Sequence, residues 1–257
     1  MVVLCLVGPV FLPAFGEQDL ANQFLPPLSR TGSGLHWLGT DALGRDLLSR
    51  MAQGGRLSLA VALVASLVAV VVGTLYGAVS GWFGGRLDAF LMRVVEILQS
   101  LPYMFLVIVL MALLGRNLIA LFAALGLVQW LSIARVVRAQ VLSLRSRDFV
   151  TASRSLGQEP WRIVLVHVLP SCLGVISVQA TLAIPQIILQ EAFLSFLGLN
   201  ASEVSWGLLV AEGAQSMDLA PWLVAAPGVL LALTLGSLQF LGEAWRIRMD
   251  PRSGRDQ

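Results

Sequence analysis

DFVTASRSLGQEPWRIVLVHVLP, residues Asp148 to Pro170, is a long polar connection between strongly apolar segments, and the rest of the chain is arranged around it. Asp148 is placed to cap a helix at its N-terminus, with Phe149, Ala152, Ser153 and Leu156 following along one face at spacings of three and four. Gly157 ends that helix, because a residue without Cβ reaches the left-handed C-terminal conformation at no steric cost. Pro160 suits the first turn of a second helix, where its missing N–H leaves no bond unmade. Trp161, Val164, Leu165 and Val168 then carry an apolar stripe as far as Pro170. The stretch is expected to form a compact helix-turn-helix lying against a membrane surface.

The membrane follows from composition. The 257 residues are 57% hydrophobic and 12% charged, and the mean hydropathy is +0.81, far more apolar than a soluble globular domain. All 17 basic residues are arginine, and the formal net charge of +2 argues neither for nor against nucleic acid, which is not expected as a partner. Cys5 and Cys172 suggest neither a disulfide framework nor a metal site and read as small apolar packing residues.

Working outward from the loop towards the N-terminus, Asn117 to Ala134 is expected to span the bilayer, with Arg135 and Arg138 marking its end. Ile97 to Gly115 forms another span, broken by Pro102, and Arg86 to Ser100 leads into it along the interface with Asp88, Arg93 and Glu96. Arg93 and Glu96 stand three apart and can pair at the bilayer edge. Leu57 to Gly85 contains no charged residue and accommodates a further span, turned at Gly84-Gly85. Within it Ala65, Ala69, Gly73, Gly77 and Gly81 recur every four residues, a stripe that lets another helix approach closely. Helix packing at Gly73, Gly77 and Gly81 is the preferred reading, and a substrate path the alternative.

The first 56 residues are read as an N-terminal span followed by an external amphipathic segment. Met1 to Phe15 is apolar but too short for the ~30 Å hydrocarbon core, as a first span with a missing or very short cytoplasmic beginning would be. In HWLGTDALGRDLLSR, His36 to Arg50, Thr40 or Asp41 is placed to cap a short helix with Leu43, Leu47, Leu48 and Met51 facing the membrane surface. His36, Asp41 and Asp46 could be metal ligands, but capping and salt pairing at the surface is the better reading.

Beyond the loop, Val168 to Ser202 carries a single charge, Glu191, six residues after Pro185. A carboxylate at the bilayer centre costs about 2.5 kcal/mol or more, which makes Glu191 a candidate functional residue. A buried polar tie between helices is at least as good a reading as contact with substrate. The loop from Asn200 to Asp218 holds Glu203, Glu212 and Asp218 and no basic residue, and Leu219 to Gly242 is the last span. Arginines set the orientation. With the Asp148 to Pro170 loop inside, Arg86, Arg93, Arg135, Arg138, Arg145, Arg147, Arg154, Arg162, Arg246, Arg248, Arg252 and Arg255 are cytoplasmic, a clear majority of the 17. The acidic loop around Ser205 then faces outward. Residues 57–245 read as one transmembrane domain with a cytoplasmic loop at 140–170, and 246–257 as a cytoplasmic tail.

Four stretches resemble one family. Thr151-Ala152-Ser153, then Gly157 and Leu169-Pro170 are spaced as in the EAA loop of binding-protein-dependent ABC importer permeases, with Thr151 where the family usually has Glu and Ser153 where it has a second Ala. His36 to Arg50 resembles the H-x-L-G-T-D-x-x-G-R-D signature of the C-type permeases of dipeptide, oligopeptide and nickel importers. EAFLSFLGL, Glu191 to Leu199, and the Asp250-Pro251-Arg252 terminus resemble further runs of the same family. The resemblance implies an all-α, polytopic fold of the type I importer permease class, with about six transmembrane helices, in the bacterial inner membrane. It implies partners: a second homologous permease, two cytoplasmic ATPase subunits that hold ATP and Mg, an external solute-binding protein, and membrane lipid. By position it also makes Asp148, Phe149, Thr151, Ala152, Ser153, Leu156, Gly157, Leu169 and Pro170 the residues that couple to the ATPases. The expected solute is a small peptide or a chelated metal such as nickel.

The chain itself has no Walker lysine motif, no G-x-S-x-G elbow and no H-E-x-x-H, so no catalytic, cofactor-binding or metal residue is expected in it. A secondary transporter or channel subunit is the main alternative, although that class usually carries several intramembrane charges or an inverted repeat. An intramembrane enzyme using His167 with Asp148 lacks a nucleophile.

Overall fold

The computed structural model of the chain describes residues 17–32, 34–115, 117–199 and 203–249. The expected first span at Met1 to Phe15, Cys5 and the Asp250 to Arg252 terminus lie outside the described residues. Two short strands, β1 (Ser29–Thr31) and β2 (Gly34–His36), pair antiparallel with Ser29 opposite His36. The helices are α1 (Leu47–Phe83), α2 (Gly85–Ser100), α3 (Tyr103–Leu114), α4 (Leu118–Arg145), α5 (Asp148–Ser155), α6 (Pro160–Ile163), α7 (Leu169–Phe196), α8 (Trp206–Gln215) and α9 (Trp222–Met249).

Among the described residues four helical runs are long and apolar enough to cross a membrane: α1, α4, the run Pro160–Phe196 that contains α6 and α7, and α9. The α2–α3 pair, bent by 92°, makes a fifth if it counts as one span. The bend falls at Leu101, whose extended backbone (φ −77°, ψ 139°) is the conformation a following proline enforces. At 37 residues α1 is about 55 Å long, well beyond the ~30 Å hydrocarbon core, so it projects into the interface.

Several sequence expectations are corrected here. Helix α1 begins at Leu47, not Leu57, and the short helix expected from Thr40 or Asp41 does not form as a separate element. Instead Thr40 and Asp46 form an isolated bridge, and the Asp46 carboxylate accepts both the Ser49 N–H and hydroxyl at 2.8 Å, capping α1 directly. Leu47 and Met51 are buried rather than facing a membrane surface. In the central loop Asp148 is the first helical residue, and Arg147 holds the cap position without a side-chain bond.

Pro170 does not end the second helix. A π turn, Val164–Val168, precedes α7, and the Leu169 N–H bonds back to the Val164 carbonyl. That wide turn relieves the clash a proline ring makes with the carbonyl four residues earlier. Ser171 Oγ then donates to the His167 carbonyl at 2.7 Å, so the chain runs on as helix to Phe196.

Contacts divide the chain into two compact units. One comprises Met1–Leu63, Leu114–Leu121 and Pro185–Leu238. Its irregular part is fixed by Thr40, whose hydroxyl donates to the Asn22 carbonyl at 2.6 Å and accepts the Leu25 N–H at 2.9 Å. Trp206, fully buried, donates its indole N–H to the Met51 carbonyl at 2.9 Å. The other unit comprises Val64–Leu113, Phe122–Ile184 and Gln239–Gln257. Its core joins Trp82, Val95, Trp130, Ile133, Val137, Val141, Val150, Ile163 and Val168.

Candidate functional site

The Asp148 to Pro170 loop is anchored from beneath. Val150, Ser153, Ile163 and Val168 are buried, with the three apolar side chains in the core of their unit. Ser153 Oγ donates to the Phe149 carbonyl at 2.9 Å, within the helix. The Arg154 guanidinium lies 4.9 Å over the Trp82 ring, a cation–π contact that ties α5 to the end of α1. Gly157 has φ +74°, and its N–H and that of Gln158 close the α5 C-terminus on the Arg154 and Ser153 carbonyls at 2.9 and 3.2 Å. His167 Nε2 lies 3.2 Å from Gln158 Oε1, which links the two halves of the loop.

The residues that the spacing put along one face divide between burial and exposure. Ser153 is buried, but Phe149, Thr151, Ala152 and Leu156 are exposed, as are Trp161, Leu165 and Pro170, while Leu169 is half-buried. Leu156 is 79% and Trp161 61% exposed, unusual for large apolar groups on a loop this well anchored. No neighbouring atom lies within 4 Å of where a Gly157 Cβ would point.

The same unit holds an ion pair that sequence spacing could not locate. Asp88 on α2 takes a two-pronged contact from Arg138 on α4, with Arg138 Nη2 donating at 2.6 Å, and also accepts the Ser80 hydroxyl. Fifty residues separate the partners, and each stands among other charges on its own helix, so nothing in the sequence singles the pair out. Arg93 and Glu96 do pair, at 3.3 Å, but both are well exposed and contribute little.

Gly73, Gly77 and Gly81 lie against α4. A Cβ at Gly73 would fall 2.8 Å from the Trp130 carbonyl, at Gly81 2.8 Å from the Arg138 carbonyl, and at Gly77 against the Ala134 carbonyl. The backbones approach too closely for any side chain at these positions.

Glu191 lies in the other unit, 1% exposed. Ser58 of α1 donates to Oε2 at 2.9 Å and Ser195 of α7 to Oε1 at 2.7 Å. Ser205 donates to the Ser195 hydroxyl at 3.1 Å and caps α8 by accepting the Leu208 N–H at 3.2 Å. The carboxylate is thus the common acceptor that holds α1, α7 and the start of α8 together. Elsewhere in that unit, His36 Nδ1 lies 2.9 Å from Asp46 Oδ1, and Asp41 Oδ2 accepts from Arg45 Nε and Arg50 Nη1 at 2.7 Å each. Arg50 also reaches Glu212 of α8 at 2.6 Å across 162 residues. His36, Asp41 and Asp46 are therefore paired as expected but buried rather than at the surface. Among the described residues no group of three or more His, Cys, Asp or Glu is arranged to hold a metal ion.

Residues 69–254 match the family described as the binding-protein-dependent transport system inner membrane component. An oligopeptide transport system permease protein from Haemophilus influenzae is 43% identical over 254 residues, 98% of this chain and 81% of that protein. Its counterpart from Escherichia coli K12 is 46% identical over 241 residues, 93% and 79% of the two chains. A dipeptide transport system permease protein from Bacillus subtilis is 38% identical over 259 residues, 99% and 79%. A solved structure of the MetNI methionine ABC transporter in an inward-facing conformation superposes with a TM-score of 0.65 at 20% identity, over 78% of this chain and 96% of that one, a likeness of fold. With a family match over most of its length and relatives of this identity, the chain belongs to the binding-protein-dependent transport system inner membrane components, the permease subunits of ABC importers.

Proposed function

We propose that this permease forms half of the translocation path of an ATP-driven importer of small peptides and is moved by partner ATPases through the Asp148 to Pro170 loop. The observation that carries the coupling is the loop's construction. Val150, Ile163 and Val168 fix it to the core, while Phe149, Leu156, Trp161 and Leu165 stand exposed. A rigid knob with an apolar outer face transmits displacement into the spans it is rooted in, as an alternating-access cycle requires. The exposed side chains would seat in the ATPase subunit, and Gly157 would set the angle at which the two arms of the loop meet it.

The solute assignment rests on the oligopeptide and dipeptide permeases that the chain resembles over nearly its whole length. A chelated metal such as nickel is the second solute class. A related permease would supply the other half of the path, an external binding protein would deliver the peptide, and ATP and Mg would be handled by two cytoplasmic ATPases, leaving this chain without catalysis of its own. The arginine distribution supports a cytoplasmic loop and C-terminus.

The assay is uptake by the assembled complex in proteoliposomes with its external binding protein and internal ATP. Labelled di- and oligopeptides should accumulate only with hydrolysable ATP. Accumulation of a nickel chelate but no peptide would replace the solute, and downhill flux without ATP would replace the class with a channel.

A further inference from the structure

The broken span α2–α3 carries an exposed polar strip at a depth where hydrocarbon would not tolerate one. With 12 residues α3 is about 18 Å long, short of the ~30 Å hydrocarbon core, so α2 must complete the crossing. The first turn of α2 is held by the Asp88 ion pair to Arg138, where the apolar run of α4 ends. The 92° bend between the two helices therefore falls inside the bilayer and not at its edge. Arg93, Glu96, Ile97 and Ser100 lie within about 100° of the α2 circumference and are all exposed, while Met92 and Val95 on the other side are buried. Arg93 donates to Glu96, one turn nearer the bend, at 3.3 Å, and the two side chains are 74% and 59% exposed. The arginine thus reaches deeper into the bilayer rather than snorkelling to its surface. At the bend the last carbonyls of α2 have no intrahelical donor, and Pro102 supplies no N–H. Exposed charge and irregular backbone persist at membrane depth only where they meet water or other polar groups.

We propose that the Arg93 to Tyr103 face of this broken span lines the translocation path and meets the solute as a zwitterionic peptide. Arg93 takes its carboxylate, Glu96 its ammonium group, and the free carbonyls of the bend its backbone N–H groups. This rests on the peptide-importer reading. The forked guanidinium of Arg93 matches a carboxylate, and a carboxylate at Glu96 is the complement of an amine. An ion pair open to solvent contributes little to the fold, so its partners are free to exchange each other for the charges of a passing solute. Bend carbonyls read the backbone, which every peptide shares. The strip therefore favours a peptide over an uncharged solute of the same size without selecting its sequence.

The test uses the assembled complex with Cys5 and Cys172 replaced by alanine, in membranes opened to a small charged thiol reagent. Ile97→Cys and Ser100→Cys should react, and Leu67→Cys on the exposed apolar face of α1 should not. Transported peptide should slow labelling at 97 and 100 several-fold. Separately, Arg93→Gln and Glu96→Gln should each cut peptide uptake several-fold with the thermal midpoint of the complex unchanged, and the Arg93→Gln loss should be smaller for a peptide amide, which has no terminal carboxylate. The proposal is overturned if positions 97 and 100 are inert, or if they label with no protection by peptide. It is also overturned if the Gln variants take up peptide like the wild type, or if their midpoint falls, which would make the strip a packing surface. Failure of the unmodified complex to take up peptide would instead remove the importer reading, which the wild-type uptake assay decides on its own.

Discussion

At Glu191 both carboxylate oxygens are met by serine hydroxyls, Ser58 at 2.9 Å and Ser195 at 2.7 Å, and little of the residue reaches solvent. Glu191→Gln keeps the shape and one acceptor, and the serine hydroxyls can turn to accept from the amide. It should retain assembly and most transport. Glu191→Leu strands the hydroxyls of Ser58 and Ser195 and should lower stability by about 1 to 3 kcal/mol, read as a lower thermal midpoint of the solubilised complex. A Gln variant that assembles normally but transports nothing would make Glu191 a direct participant instead. Arg138 poses the complementary case. Arg138→Met leaves Asp88 with only the Ser80 hydroxyl, and the loss should fall at or below the lower end of the ~3 to 5 kcal/mol seen on breaking buried pairs, because Arg138 is partly exposed. Unchanged thermal stability in Arg138→Met would mean that this pair does not hold α2 to α4. Neither partner is identifiable from the chain alone, since a charge's partner fifty residues away leaves no local pattern.

Among whole elements, a close helical neighbour along the small-residue stripe of α1 was legible, though not that it is α4, and the course of the loop was not. Small residues every fourth position put one narrow stripe along α1, and that period alone implies a close neighbour. Gly77→Val should therefore push α4 away, costing about 1 to 3 kcal/mol or more, because its Cβ meets the Ala134 carbonyl rather than a flexible side chain. Normal expression and an unshifted thermal midpoint in that variant would show that the two helices have room to part. The second arm of the loop was misread because Pro170 signals a stop by local rules, whereas a π turn and the Ser171 hydroxyl carry the helix past it. The short helix expected at Asp41 failed for a related reason. Asp41 does make the local bonds of a cap, accepting the Leu43 and Arg45 N–H groups at 2.8 and 2.9 Å, but Gly44 at φ +71° turns the chain back so that Thr40 and Asp46 bridge and no helix follows.

For the whole molecule, the claims to be tested are orientation and coupling. Ser205, the outward position expected from sequence, is fully buried, so Met217, 58% exposed, is the better external probe. In a background without Cys5 and Cys172, Met217→Cys should react with an impermeant thiol reagent added to intact cells, and Arg147→Cys should react only after the membrane is opened. The reverse pattern would invert the topology. Coupling has its own decisive position in Gly157. Among the described residues nothing lies within 4 Å of a Cβ there, so a substitution costs only the left-handed backbone strain, about 1 to 2 kcal/mol, and leaves the spans intact. The most direct measurement is peptide uptake together with peptide-stimulated ATP hydrolysis by the reconstituted complex carrying Gly157→Asp, with Gly157→Ala beside it. If the loop drives the permease, the Asp variant should reach normal membrane abundance yet lose both uptake and stimulation, with the Ala variant less affected. If uptake and stimulated hydrolysis in Gly157→Asp both equal those of the wild type, the Asp148 to Pro170 stretch is a surface loop and the coupling account is wrong.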